Sequence, residues 1–233
     1  ARDAADKVEI DYDPLSAVVD AEKALEKGAP RVHAELEDNV AFVAKLEGGD
    51  WKAVEADRTL RVIKQRMINQ RLCPVAMETR GVIASYSPGE DTLTVWSSTQ
   101  IPRLLKTQLA LMTGMDEARC RVIAPEVGGA FGSKLNVYAE EGVACFASHK
   151  LGKPVKWIET RRENMQATTH GRDQIDDVEI HFKPDGTVVG LKCRVLADLG
   201  AYHQLLPPAI PTLTAVMILG AYKIPNVFVE TIG

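Results

Sequence analysis

Apolar and polar positions along this chain follow two rhythms, and each change of rhythm marks an element. Between residues 59 and 69 apolar side chains (Leu60, Val62, Ile63, Met67) alternate with polar ones, which predicts a long half-buried strand. Residues 81–86 and 92–96 flank Ser87-Pro88-Gly89-Glu90-Asp91, a Pro-Gly turn that predicts a hairpin. Ile101, Leu104, Leu105, Leu109 and Met112 then recur at helical spacing, so residues 102–113 read as a helix with Pro102 at its start and Gly114 at its end. A helix over 136–150 and a strand over 154–159 follow, then a polar stretch from 160 to 173. Residues 174–182 and 187–198 flank Lys183-Pro184-Asp185-Gly186, a second hairpin signal. Beyond it, Pro207, Pro208 and Pro211 allow a helix only from about Ile210, and 226–233 reads as a strand.

The first part of the chain has a different texture. Residues 8–12 look strand-like, and 18–27 read as a helix stopped by Gly28 and Pro30. A short apolar run over 40–46 ends at Gly48-Gly49, and one more helical turn around 51–56 leads into the strand-rich part. The expected organisation is α+β, with residues 1–45 ending a small α/β domain and 46–233 beginning a larger mixed-sheet one. The chain opens in helix-like sequence without an initiator Met and closes on a strand without a turn, which reads as a piece of a longer polypeptide.

Composition narrows the chemistry. Hydrophobic residues make up 45% and charged ones 26% of the 233 residues, ordinary for a soluble protein, and the net charge of −4 offers no basic field for nucleic acid or anionic lipid. No run is long and apolar enough to predict a membrane span, and a cytoplasmic location is expected. Cys73, Cys120, Cys145 and Cys193 are scattered through apolar contexts without a C-x-x-C pair, which predicts reduced thiols rather than a disulfide framework, zinc ribbon or iron–sulfur site. His33, His149, His181 and His203 share no metal-like spacing.

The most informative stretch is Val127-Gly128-Gly129-Ala130-Phe131-Gly132-Ser133-Lys134, between an apolar run and a helix. Glycine lets backbone approach a bound group closely, and the following helix is expected to add its own free N–H donors. The loop therefore reads as a main-chain cradle for an anion or polar oxygen. It lacks the Gly-Lys-Ser/Thr order of a P-loop and the G-x-G-x-x-G of a dinucleotide site, which leaves a nucleotide enzyme as the weaker alternative. A second strand-to-helix junction, Trp96-Ser97-Ser98-Thr99-Gln100-Ile101-Pro102, places the Gln100 amide just before a helix. Convergence of both corners on one polar ligand is the expectation.

These two corners, in this order, resemble the molybdopterin-binding large subunit of the molybdenum hydroxylases, the family of xanthine dehydrogenase, aldehyde oxidase and aerobic carbon monoxide dehydrogenase. Met77-Glu78-Thr79-Arg80-Gly81, Gly152-Lys153-Pro154, Arg161-x-Glu163-Asn164 and Ala197-Asp198-x-Gly200-Ala201-Tyr202 carry the resemblance along most of the chain. It implies that Gln100 acts catalytically through an oxygen on the metal. It also implies that Gly128, Gly129, Ala130, Phe131 and Gly132 contact the cofactor, a molybdenum–molybdopterin in dinucleotide form. It further implies [2Fe–2S] and FAD on partner subunits, a large-subunit homodimer contact and a small-molecule substrate. Purine-oxidising relatives have glutamate immediately after the loop lysine; Leu135 stands there and points to an aldehyde, an apolar heteroaromatic or carbon monoxide. The alternative of another class is a non-catalytic assembly module of the same fold.

Three weaker expectations concern charged groups. Glu78 and Arg80 are expected to pair with each other, Lys134 to meet cofactor phosphate or cap the next helix, and His170, Arg172 and Asp173 to form either a polar network shaping the site or a solvated loop.

Overall fold

Two mixed sheets carry the chain in the computed structural model, which describes residues 2–233. The elements are, in order, α1 (Arg2–Ala5), α2 (Ala21–Ala24), β1 (Val43–Gly48), α3 (Trp51–Ala56), β2 (Arg61–Asn69), β3 (Gly81–Ser87), β4 (Thr92–Ser97), α4 (Pro102–Thr113), β5 (Cys120–Ile123), α5 (Ala139–Leu151), β6 (Val155–Ile158), α6 (Arg161–Ala167), β7 (Gln174–Phe182), β8 (Val188–Ala197), α7 (Ala209–Met217) and β9 (Asn226–Ile232). The smaller sheet has the order β5-β4-β3-β6 and the larger β1-β9-β8-β7-β2. Both predicted hairpins form, β3 with β4 and β7 with β8, each antiparallel. In each sheet one neighbouring pair runs parallel, β4 with β5 and β8 with β9.

The parallel pair in the smaller sheet decides where chemistry can sit. A strand, α4 and a return strand form one crossover, so β4 and β5 point the same way and end side by side, with Trp96 opposite Ile123. The segment after β4 carries Gln100, and the segment after β5 carries the glycine loop. Ligands in such sheets gather beyond the carboxyl ends of parallel strands, which is where both corners emerge.

Each sheet has its own core. Val82, Ala84, Leu93 and Val95 of the smaller sheet pack with Leu105 and Leu109 of α4 and with Ala144 and Cys145 of α5. Leu191, Cys193 and Val195 of β8, with Val227 and Val229 of β9, pack against Ala215 of α7. Leu105 is fully buried whereas its neighbour Leu104 is 47% exposed. Leu105→Ala is therefore expected to cost about 2–5 kcal/mol in urea unfolding, and Leu104→Ala under about 0.5 kcal/mol.

The structure departs from expectation where apolar pattern lacked a partner. Residues 8–12 form no strand; Val8, Ile10 and Tyr12 are exposed, and no strand among the described residues pairs with them. The helix expected over 18–27 shrinks to the four residues of α2, because the Asp20 carboxylate accepts the N–H groups of Glu22 and Lys23 and starts the helix late. β2 forms, but it is exposed along its length rather than half-buried, being an edge strand bonded only to β7. The polar stretch after residue 160 contains α6, opened by the Thr160 hydroxyl on the Glu163 N–H. β1 pairs with β9, the last strand of the chain. The architecture is a mixed α/β arrangement built on two mixed sheets.

Candidate functional site

The two corners touch. The Gly132 N–H donates to Gln100 Oε1 at 3.1 Å, and the Gln100 N–H donates to the Lys134 carbonyl at 3.0 Å. With its oxygen taken by a main-chain donor, the Gln100 side chain is oriented, and its NH2 is the end left to donate. Both contacts run between groups of the polypeptide itself.

Within the glycine loop, residues 127–134, half of the N–H groups are already engaged. Gly128 donates to Glu78 Oε2, Gly129 to the Val127 carbonyl, Gly132 to Gln100 and Ser133 to the Ala130 carbonyl. The N–H groups of Ala130 and Phe131, in the middle of the loop, have no acceptor among the described residues, and neither do those of Val127 and Lys134 at its ends. The glycines thus contribute backbone shape, and the two residues between them contribute donors. Gly132 sits at φ +91°, and a Cβ built on it would meet nothing within 4 Å. A Cβ on Gly128 would lie 2.7 Å from Glu78 Cβ, so glycine there permits the loop to press on that residue. Phe131 also adopts a positive φ, +52°, and is 76% exposed, an unusual state for an aromatic residue.

The helix expected to reinforce the loop begins later than predicted. α5 starts at Ala139, and the Tyr138 N–H ahead of it is taken by Glu141 Oε2 at 3.1 Å. The helix end therefore adds nothing to the donors at Ala130 and Phe131, and turns over residues 131–136 intervene.

A cavity of about 1010 Å³ opens beside the loop, with Phe131, Gly132 and Leu135 on its wall. Gln100, Gly128, Gly129 and Ala130 are not on that wall; Gln100 reaches its rim through Gly132. Other lining residues are charged and paired. Arg71 bonds Asp173 at 2.7 Å and Asp198 at 2.9 Å, and all three line the cavity together with His170 and Arg172. The polar segment therefore belongs to the cavity wall. Arg172 and Asp173 both take positive φ there, +68° and +62°.

The charged pairs differ from the sequence expectation. Glu78 and Arg80 do not pair with each other. Glu78 takes Lys134 at 2.8 Å, while Arg80 bonds Glu159 at 2.7 Å and Glu140 at 3.3 Å. Ahead of β3 the two side chains meet different neighbours, and the buried Glu159 claims the guanidinium. Lys134 is 1% exposed with its ammonium on Glu78, so it neither caps α5 nor stands free for a phosphate. Burial raises the Glu78 carboxyl, but the bonds from Lys134, Ser98 and the Gly128 N–H outweigh it and hold it below the usual range. Sequence reading missed both this pair and the Arg71 bridge. The available signal was an opposite charge on either side of each corner, with no indication of which charges would meet. Cys120, Cys145 and Cys193 are buried and Cys73 partly so, all free thiols, and burial pushes Cys145 and Cys193 up to about 12.

Residues 32–233 match the molybdopterin cofactor-binding domain family. The chain belongs to that family, the large subunits of molybdenum hydroxylases. The nicotine 6-hydroxylase large subunit of Paenarthrobacter nicotinovorans is 36% identical over 230 residues, covering 97% of this chain and 28% of that protein. The carbon monoxide dehydrogenase large chain of Hydrogenophaga pseudoflava is 32% identical, covering 97% of this chain and 30% of that protein. Quinoline 2-oxidoreductase from Pseudomonas putida 86 superposes with a TM-score of 0.91 at 33% identity, over all of this chain and 30% of that one. The chain thus spans about 30% of the length of these relatives.

The site fits the family's cofactor. Two unengaged main-chain N–H groups and an oriented amide donor stand where a loop glycine leaves open space beside a cavity. That donor set suits a group rich in oxygen acceptors that carries its own metal ligands.

Proposed function

We propose that this chain is the cofactor-binding part of an oxidoreductase large subunit that hydroxylates or oxidises a small substrate with oxygen derived from water. The observation that carries the reading is the Gly132–Gln100 hydrogen bond, which presents an oriented amide next to the free N–H groups of Ala130 and Phe131. When bound, the molybdenum–molybdopterin, taken in its dinucleotide form, supplies the two-electron redox chemistry. Ala130 and Phe131 hold it by main chain. Gln100 would offer its NH2 to that group as a fixed dipole that needs no reorganisation during turnover.

Leu135 supports the substrate class. It places an apolar side chain on the cavity wall, which suits an aldehyde, an apolar heteroaromatic or carbon monoxide better than a purine. The named relatives act on nicotine, carbon monoxide and quinoline, in keeping with that range. Electrons would leave through [2Fe–2S] and FAD subunits, with the large subunits paired. Residues 1–45 would close a preceding small α/β domain of hammerhead type. Lys134, buried on Glu78, weakens the nucleotide alternative because it offers the loop no free cation.

Gln100→Ala tests the reading. In the whole enzyme we expect molybdenum content near wild type and turnover per molybdenum lowered by about 10²–10³, the usual effect of removing one such donor. Unchanged turnover per molybdenum would remove Gln100 from the mechanism.

A further inference from the structure

Glu78 joins the two corners of the site. Its Oε2 accepts three donors: the Ser98 hydroxyl at 2.6 Å, the Gly128 N–H at 2.8 Å and the Lys134 ammonium at 2.8 Å. Its own N–H donates to the Gly128 carbonyl at 3.1 Å. Ser98 lies two residues before Gln100, Gly128 opens the glycine loop, and Lys134 follows its last glycine. One carboxylate oxygen therefore ties the end of β4 to both ends of the loop. The ring closes on the far side through the Gln100 N–H on the Lys134 carbonyl and the Gly132 N–H on Gln100 Oε1.

Two features show that this contact is constructed. Lys134 is 1% exposed, and its ammonium has Glu78 as its one acidic partner among the described residues. A buried cation with a single carboxylate holds that carboxylate firmly in place, because separating them leaves an uncompensated charge. Gly128 also lies so close that any side chain would strike Glu78 Cβ at 2.7 Å. The loop is thus pressed onto Glu78 by backbone and by charge at once.

We infer that the Glu78–Lys134 pair is a positioning device that sets where the Ala130 and Phe131 N–H groups and the Gln100 amide stand relative to the cofactor. Glu78 itself does not line the cavity, so it acts through the loop rather than by touching the reacting group. The inference rests on the proposed function and deepens it. It makes register between the two corners, and not only their presence, a determinant of rate.

Glu78→Asp provides the test in the whole enzyme. Aspartate keeps the charge beside Lys134 but is about 1.5 Å shorter, so one oxygen no longer reaches all three donors. Expected are near-wild-type molybdenum content and melting temperature, with turnover per molybdenum lowered about 10²-fold. The loss should fall on kcat rather than KM, and the Mo(V) paramagnetic resonance spectrum of partly reduced enzyme should shift, which a purely structural role would not produce. Ser98→Ala removes one donor with less risk to folding and should lower kcat in the same direction by a smaller factor. Unchanged turnover per molybdenum in both variants would overturn the inference. So would loss of molybdenum from Glu78→Asp with normal kcat in Ser98→Ala, which would make the pair an assembly element. Wild-type enzyme that purifies without molybdenum would instead defeat the proposed function beneath it.

Discussion

Arg80→Met is expected to destabilise the fold by about 3–5 kcal/mol. The Arg80 guanidinium is buried, bonded to Glu159 through Nε at 3.0 Å and Nη2 at 2.7 Å, and stacked 3.7 Å over the Tyr138 ring. Desolvation works against its charge, but the bonds to Glu159 and Glu140 win and hold its pKa up. The Glu159 side chain is itself fully buried, and only Asn164 Nδ2 and the Arg80 N–H would remain to satisfy it. Methionine fills much of the space, so the loss comes from the stranded carboxylate rather than a cavity. A fall in melting temperature on the order of 10 °C should follow. Adding Glu159→Gln to Arg80→Met should recover part of the loss, since no uncompensated charge then stays buried. If the double variant were as unstable as the sum of the singles, charge burial would not be the cause.

Gly132→Val is expected to abolish cofactor occupancy while leaving the fold largely intact. Valine at φ +91° carries a backbone strain of about 1–3 kcal/mol, and its side chain would project into the open space beside the cavity. The strained turn would also pull the Gly132 N–H from Gln100 and separate the two corners. Gly186 provides the control. It has the same φ of +91° with open space around it, but it lies in the β7–β8 turn, away from the cavity. Gly186→Val should cost similar stability and leave molybdenum content unchanged. Equal molybdenum content in the two valine variants would show that the Gly132 corner does not hold the cofactor.

The elements that frame the site were legible because their punctuation is local. Pro102 and Gly114 bracket α4, and the Pro-Gly and Asp-Gly turns close both hairpins, so these elements could be read directly, whereas the parallel pairing that completes the β4–α4–β5 unit could not. That unit alone brings Gln100 and the glycine loop to one edge of the sheet. Partner choice among charges was not legible. Glu78 and Arg80 are neighbours in sequence, yet their partners Lys134, Glu140 and Glu159 lie far along the chain and are selected by packing. Exposure was equally hidden. Alternation in β2 and in residues 8–12 is the same kind of signal, but β2 found β7 and the earlier segment found no strand, and neither acquired a covered face. The division of labour in the loop also needed coordinates, because only an account of every N–H shows that Ala130 and Phe131, in the middle of the loop, keep free donors while the glycines on either side of them do not.

The most direct test of the whole account is the metal and pterin content of the purified wild-type enzyme. Stoichiometric molybdenum with an organic pterin, lost in Gly132→Val and retained in Gly186→Val and Gln100→Ala, is the predicted result. A wild-type enzyme that purifies with neither molybdenum nor pterin, yet folds and assembles normally, would contradict it.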